Sequence, residues 1–324
     1  MYTMIEIFNR IKKRLAKYRY IKIIYKSFFL KGFFYQHVQE YFTNIKVRNF
    51  ISKIEKKIFN LLYKKYYYKS DLEKAKINTK LLNEKGITDK FELIDFEKYK
   101  KDILDYFNNN KVFFDKNPEV KFFLKERDPS IKMAYYEPTT VSRCPYIFDI
   151  INDHTILSTA ANYFNSPFKL DYASVWWSFK NDDVVKEKTQ SFHRDLDSFN
   201  LLKFFIYLSD VDENSGANQF IKYSHLNSNY EKNISRKTIP EHDLKENLKK
   251  NIFTFTGKSG SVIAANTFGL HRGKTPKSNN RLMLVLSFSL IGTFYGPTKP
   301  FLNINDIITN KKNLNKFINK RYII

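Results

Sequence analysis

His193-Arg194-Asp195, set against His271 far along the chain, constrains this sequence more than any other feature. On an extended segment His193 and Asp195 leave the same face while Arg194 points away. His271 follows 271 − 195 = 76 residues later, so the fold itself must bring it back. Two imidazoles and one carboxylate are the ligand set of non-haem Fe(II) sites that keep open coordination positions. Arg281 comes 281 − 271 = 10 residues after His271, and its planar fork suits a carboxylate. A lone His-x-Asp also occurs by chance in surface loops and in zinc hydrolases, so its flanks decide its weight.

Those flanks read as strands. Leu201-Leu202-Lys203-Phe204-Phe205-Ile206-Tyr207-Leu208 is an aliphatic and aromatic run suited to a buried strand. Asp210 to Gly216 is a polar turn, and Ala217 to Ile221 a short strand ending at Tyr223-Ser224-His225. Gly257 to Gly260 is another turn, followed by a strand from Ser261 to Asn266 that delivers His271. Arg281 then opens Leu282-Met283-Leu284-Val285-Leu286-Ser287-Phe288, long enough to cross a core.

Over residues 80 to 295 the chain resembles the phytanoyl-CoA dioxygenase-like family of Fe(II)/2-oxoglutarate oxygenases. The matching words are Phe192-His193-Arg194-Asp195, Ser215-Gly216-Ala217, Ser224-His225, and His271-Arg272-Gly273 with Arg281. The resemblance implies an α+β fold whose core is a double-stranded β-helix (jelly-roll, cupin-like) with flanking helices. It implies that His193, Asp195 and His271 hold Fe(II) and that Arg281 pairs with the far carboxylate of 2-oxoglutarate, with O2 as second co-substrate. Family members set an aromatic residue against the co-substrate, and Phe205 fits that place. Asp195, where Ala or Gly would leave a halide position, points to hydroxylation or a related oxidation with release of succinate and CO2. Tyr223 departs from the family's glycine before Ser-His.

Lys203 shares a strand face with Phe205, and a buried lysine wants an anion. It either helps hold 2-oxoglutarate or pairs with an acid. Gln190, three residues before His193, reaches the site only if the strand bulges. His37, His154, His225 and His242 read as structural or exposed. Two rival readings share the fold: a relative that binds a ligand without turnover, and a cupin-like metal hydrolase or isomerase. The complete ligand set opposes the first, and Arg281 with Ser215-Gly216-Ala217 opposes the second. The substrate is expected to be a small molecule, with metabolite, lipid, acyl thioester and saccharide all open.

At 324 residues with 43% apolar and 17% aromatic content, the chain buries a sizeable core. Cys144 is the sole cysteine, which removes disulfides and cysteine-built metal sites and suits a reducing, cytoplasmic setting. No apolar run approaches the ~18 residues of a membrane span. Net charge is +23, and residues 1–70 supply 17 − 3 = +14 of it. Abundant Lys, Ile, Asn, Tyr and Phe suit an AT-rich coding sequence, so part of that charge is drift.

Three regions are expected: a basic amphipathic helical N-terminal region at 1–75, the oxygenase domain at 76–300, and a C-terminal helical tail at 301–324. Met4, Phe8, Ile11, Leu15 and Tyr18 form one helical stripe, and Val47, Phe50, Ile54, Ile58 and Leu61 a second. Either these stripes pack inward and the lysines are merely solvated, or residues 1–70 make peripheral contact with an anionic membrane through residues such as Lys12, Lys13, Arg14, Lys17 and Arg19. Nucleic acid is not expected, because no base-reading module accompanies the charge. Asp95 and Asp153 carry N-cap chemistry ahead of helices, and Lys169 to Phe179 alternates as a strand. Residues 180–190 and 226–250 read as polar insertions.

Overall fold

The computed structural model describes residues 39, 42, 44–114, 117–181, 190–226, 238–293, 295–310 and 314–324. The expected helix through Met4 and Tyr18, most of the 180–190 loop and residues 227–237 lie outside them.

Ten-residue alternation and long apolar runs make strands of the second half of the chain, and all their pairings are antiparallel. The strands are β1 (Phe91–Glu92), β2 (Val112–Phe114), β3 (Asn117–Phe122), β4 (Met133–Tyr135), β5 (Lys169–Ser178), β6 (Leu201–Tyr207), β7 (Asn218–Ile221), β8 (Ile252–Phe255), β9 (Ser261–Ala265), β10 (His271–Gly273) and β11 (Arg281–Ser289). Eight form one sheet in the order β1-β9-β6-β11-β5-β4-β2-β3, and three form a second in the order β10-β7-β8.

The central strands of the large sheet are buried on both faces, and the period-2 rule sorts their side chains. Leu202, Phe204 and Ile206 of β6 join Leu282, Leu284 and Leu286 of β11 in the main core. That core is closed by α1 (Ile45–Tyr63), α2 (Glu73–Lys85), α3 (Phe96–Asn108) and α4 (His154–Phe164), which contribute Phe59, Leu82, Ile103 and Ile156 among others. The opposite face presents Phe205, Tyr207, Met283 and Val285 to Ala217, Phe220 and Phe255 of the small-sheet side. Lys203 and Arg281 lie on this inner face by the same alternation, so both are carried inward by strands whose apolar residues do the packing.

Local chemistry sets the helix ends. Asp153 caps α4 by accepting from the Thr155 and Ile156 amides at 2.8 and 3.1 Å, and Asn165 ends it in the left-handed region. Asp95 occupies the N-cap of α3, but its carboxylate pairs with Lys98 and bonds no helix amide. The expected boundary at 75/76 falls inside α2, which packs on α4 and sends Asn78 to Thr159 at 3.1 Å. The tail departs from expectation. Its described residues form a 3-10 turn at Ile304–Asp306 and a run of turns, with no α-helix. Asn315 accepts from the Phe317 and Ile318 amides as an N-cap does, and the Asn319 amide donates to the Asn315 carbonyl at 3.0 Å, so the residues that follow make turns with helix-type bonds but no continuous helix.

Candidate metal centre

The segment around His193 is extended without belonging to a sheet. Phe192 bridges to Ile239, and a second bridge sets the register against His271: the His193 amide donates to the His271 carbonyl and the His271 amide donates to the His193 carbonyl, both at 3.0 Å. A pair that exchanges both bonds holds its two residues directly opposite with side chains on one face. The imidazole centroids are accordingly 4.4 Å apart. Asp195, two residues on, is pinned by its amide donating to the Thr267 carbonyl at 2.9 Å. Arg194 points the other way, donating to the carbonyls of Ser224 and Phe268.

One donor atom each of His193, Asp195 and His271 lies within 4.8 Å of the others. The two histidines are oriented alike. His193 Nδ1 lies 3.0 Å from the Ser191 carbonyl, and His271 Nδ1 lies 3.0 Å from the Gly269 carbonyl, two residues back in each case. A carbonyl only accepts, so each Nδ1 carries the proton and each Nε2 a lone pair. His271 Nε2 is 3.4 Å from Asp195 Oδ2. Two imidazole lone pairs and a carboxylate oxygen converging on one point are a donor set that suits a metal ion.

Electrostatics favour the ligand-competent forms. Burial, then repulsion from His271, lowers the His193 imidazole to about 4. Burial works to raise Asp195, but Lys203 and then His271 overcome it and hold the carboxyl well below its usual range. Lys203 Nζ sits 2.7 Å from Asp195 Oδ2 and 3.2 Å from Asp197 Oδ2. Of the two roles open to Lys203, the structure thus shows the acid pair.

A cavity of about 230 Å³ opens from this group between the sheets. Phe205 is on its wall, with its ring centroid 6.3 Å from that of His271. Arg281 lines it too, fully buried. Its guanidinium donates to the Gly216 carbonyl, to Asn218 Oδ1 at 2.8 Å and to Ser178 Oγ at 3.0 Å, while Nε has no partner. All these acceptors are neutral, and burial lowers the guanidinium from its ordinary value. Gln190 also reaches the cavity wall.

No family model and no curated protein matches the chain. Among solved structures, it is similar to the non-heme alpha ketoglutarate dependent epimerase SnoN from nogalamycin biosynthesis, at 13% identity over 66% of this chain and 82% of that one, with a TM-score of 0.48. The carbocyclase SnoK of the same biosynthesis gives 12% identity, 67% and 84% coverage, and 0.45. HygX from Streptomyces hygroscopicus, crystallised with nickel, 2-oxoglutarate and hygromycin B, gives 12%, 73% and 92%, and 0.44. Likenesses so distant carry no chemistry over to this chain. Its own side chains must do that.

The strand alternation placed Lys203 and Phe205 on one face, but three participants were not singled out from the sequence. Asp197 shares the period-2 face of Asp195, a signal that was available. Ser178 and Asn218 cradle Arg281 through the β5–β11 register and through β7, and nothing local marks either residue. Trp176, whose Nε1 is buried without a partner, and Tyr135 form an aromatic wall of the cavity with centroids 6.0 Å apart.

Proposed function

We propose that this chain is an Fe(II)/2-oxoglutarate-dependent oxygenase of phytanoyl-CoA dioxygenase-like type, built on a double-stranded β-helix and acting on a small molecule. One observation supports this most: three acceptor atoms converge beside a buried guanidinium that has only neutral partners. A metal site alone fits many hydrolases. A metal site sharing a cavity with an uncompensated buried arginine fits a metal plus a carboxylate-bearing co-substrate.

In this reading His193, Asp195 and His271 hold Fe(II), and Arg281 takes the far carboxylate of 2-oxoglutarate, with Ser178 fixing the guanidinium plane. Bound there, iron with 2-oxoglutarate and O2 would supply oxidation of a substrate C–H, with succinate and CO2 released. The Ser191 and Gly269 carbonyls keep each Nδ1 protonated and each Nε2 available. Phe205 covers one side of the co-substrate position and excludes water there. The Tyr135–Trp176 wall is where a substrate would lie, and the unpartnered Trp176 Nε1–H offers it or the co-substrate a donor.

Anaerobic titration of the Fe(II)-loaded protein with 2-oxoglutarate should raise the visible charge-transfer absorbance of the chelate, and air should then yield succinate. Iron binding without either signal would remove the oxygenase reading and leave a cupin-like hydrolase or isomerase. A chelate band with no succinate across a broad substrate panel would favour a ligand-binding relative.

A further inference from the structure

The helix α1 carries three distinct faces, and the sequence stripe is not the one it buries. Inward go Arg48, Glu55 and Phe59. Arg48 donates to the Ser198 carbonyl at 2.9 Å, Ser52 to Asn200 at 2.6 Å, and Asn200 to Glu55 at 2.6 Å. The apolar stripe Val47, Phe50, Ile54, Ile58 and Leu61 is exposed, joined by Leu62; Phe50, Leu61 and Leu62 are 64%, 83% and 62% accessible. Along its edge run Lys46, Lys53, Lys57 and Lys64, all exposed. The one acid of the helix, Glu55, is turned inward, so every fully exposed charge on it is positive.

An amphipathic helix ordinarily buries its apolar side. Here polar bonds and Phe59 fasten α1 to the body, and the longer apolar stripe is left for something else. A second copy of the chain would press one lysine edge against another. Residues 1–38 carry nine Lys and Arg against Glu6, so they bring the same repulsion. Nucleic acid would answer the lysines and leave Phe50, Leu61 and Leu62 in water. A surface that is both anionic and apolar beneath answers all of them. We propose that α1 docks the protein on an anionic membrane, lying in the headgroup plane with Phe50, Ile54, Ile58 and Leu61 turned into the lipid. No described helix is long and apolar enough to cross a membrane, so the contact is one of lying on, not spanning.

Docking of this kind is independent of the chemistry at the metal centre. The test uses the full chain with vesicles of phosphatidylcholine alone or mixed with phosphatidylglycerol. The protein should pellet with the mixed vesicles only, and added salt should release it. In a Phe50→Trp variant, emission should shift to the blue on the mixed vesicles and be quenched by brominated acyl chains. Replacing both Phe50 and Leu61 by Glu should weaken partitioning by at least about tenfold, since two exposed apolar anchors are lost. Both sites are exposed, so the thermal midpoint without lipid should stay put. Four results would overturn the proposal: no pelleting of the parent protein, undiminished pelleting of the double variant, a dimer that the double variant dissociates, or nucleic acid binding that vesicles do not displace.

Discussion

Lys203 Nζ lies 2.7 Å from Asp195 Oδ2, so a buried ammonium and the half-buried acidic donor of the candidate metal centre form a single pair. A divalent ion at that centre would draw on the same carboxylate. Lys203 therefore acts as the cation that keeps Asp195 and Asp197 tolerable in the protein without metal. Burial opposes the ammonium, yet Asp195 holds it well above the ordinary lysine range.

Lys203→Met should cost the metal-free protein roughly 3 kcal/mol, because the buried Asp197 and the half-buried Asp195 lose their counter-charge. Mn(II) would then supply the missing charge, so it should raise the melting temperature more in the variant than in the parent. Thermal melts with and without Mn(II) measure the difference. An equal rise in both proteins would show that Lys203 and the metal do not share Asp195.

Arg281→Lys is expected to keep metal affinity and lose 2-oxoglutarate affinity. The fork is held in plane by Gly216, Asn218 and Ser178, and a lysine reproduces neither that plane nor a bidentate grip. We expect at least about 2 kcal/mol weaker co-substrate binding, measured by titration calorimetry on the Mn(II) form. Unchanged affinity would move the anchor elsewhere.

Acid should unfold this protein partly through His225. Burial lowers its imidazole from 6.5 to about 4, so the unfolded chain takes up a proton before the folded one does. The stability from its neutral form is thus complete above 6.5, declines as pH falls, and is gone below about 4. The span corresponds to roughly 3 kcal/mol. His225→Gln should flatten the pH dependence of urea unfolding in this window. A slope identical to the parent's would assign the effect to other groups.

Tyr223 takes the left-handed conformation at φ 66, at the place where the resembling family has glycine. Its side chain is 46% exposed, so little packing depends on it. Tyr223→Gly should relieve strain and stabilise the protein by about 0.5–1 kcal/mol, the strain relieved less the entropy glycine adds to the unfolded chain. Chemical denaturation compares the two. A loss of stability would mean the tyrosine ring contributes more than its exposure suggests.

Periodicity made much of this molecule legible. The strands at Lys169, Leu201, Ser261 and Arg281 follow from two-residue alternation and long apolar runs, and α4 from its Asp153 cap. The gathering of His193, Asp195 and His271 was anticipated through same-face spacing and a returning strand. What stayed hidden depends on distant partners. The face α1 buries holds Phe59 and the partners of Ser198 and Asn200, some 150 residues away, and not its own longer apolar stripe. The tail reads as helix by composition, yet its described residues make only short turns, one of them capped by Asn315. Lys203 faces inward by alternation, but its choice of Asp195 and Asp197 arises only once the loop between them folds.

The double hydrogen bond joining His193 to His271 has an evolutionary corollary. Because the two imidazoles are set opposite each other by their own backbone, their spacing owes nothing to the length of chain between them. Changes of length between them that spare β7, β9 and the contacts of Ile239, Glu241, Leu244 and Leu248 with Phe192 and Arg272 would leave both rings in place. On the function proposed above, loops could then change what the cavity admits while the two imidazoles keep their spacing.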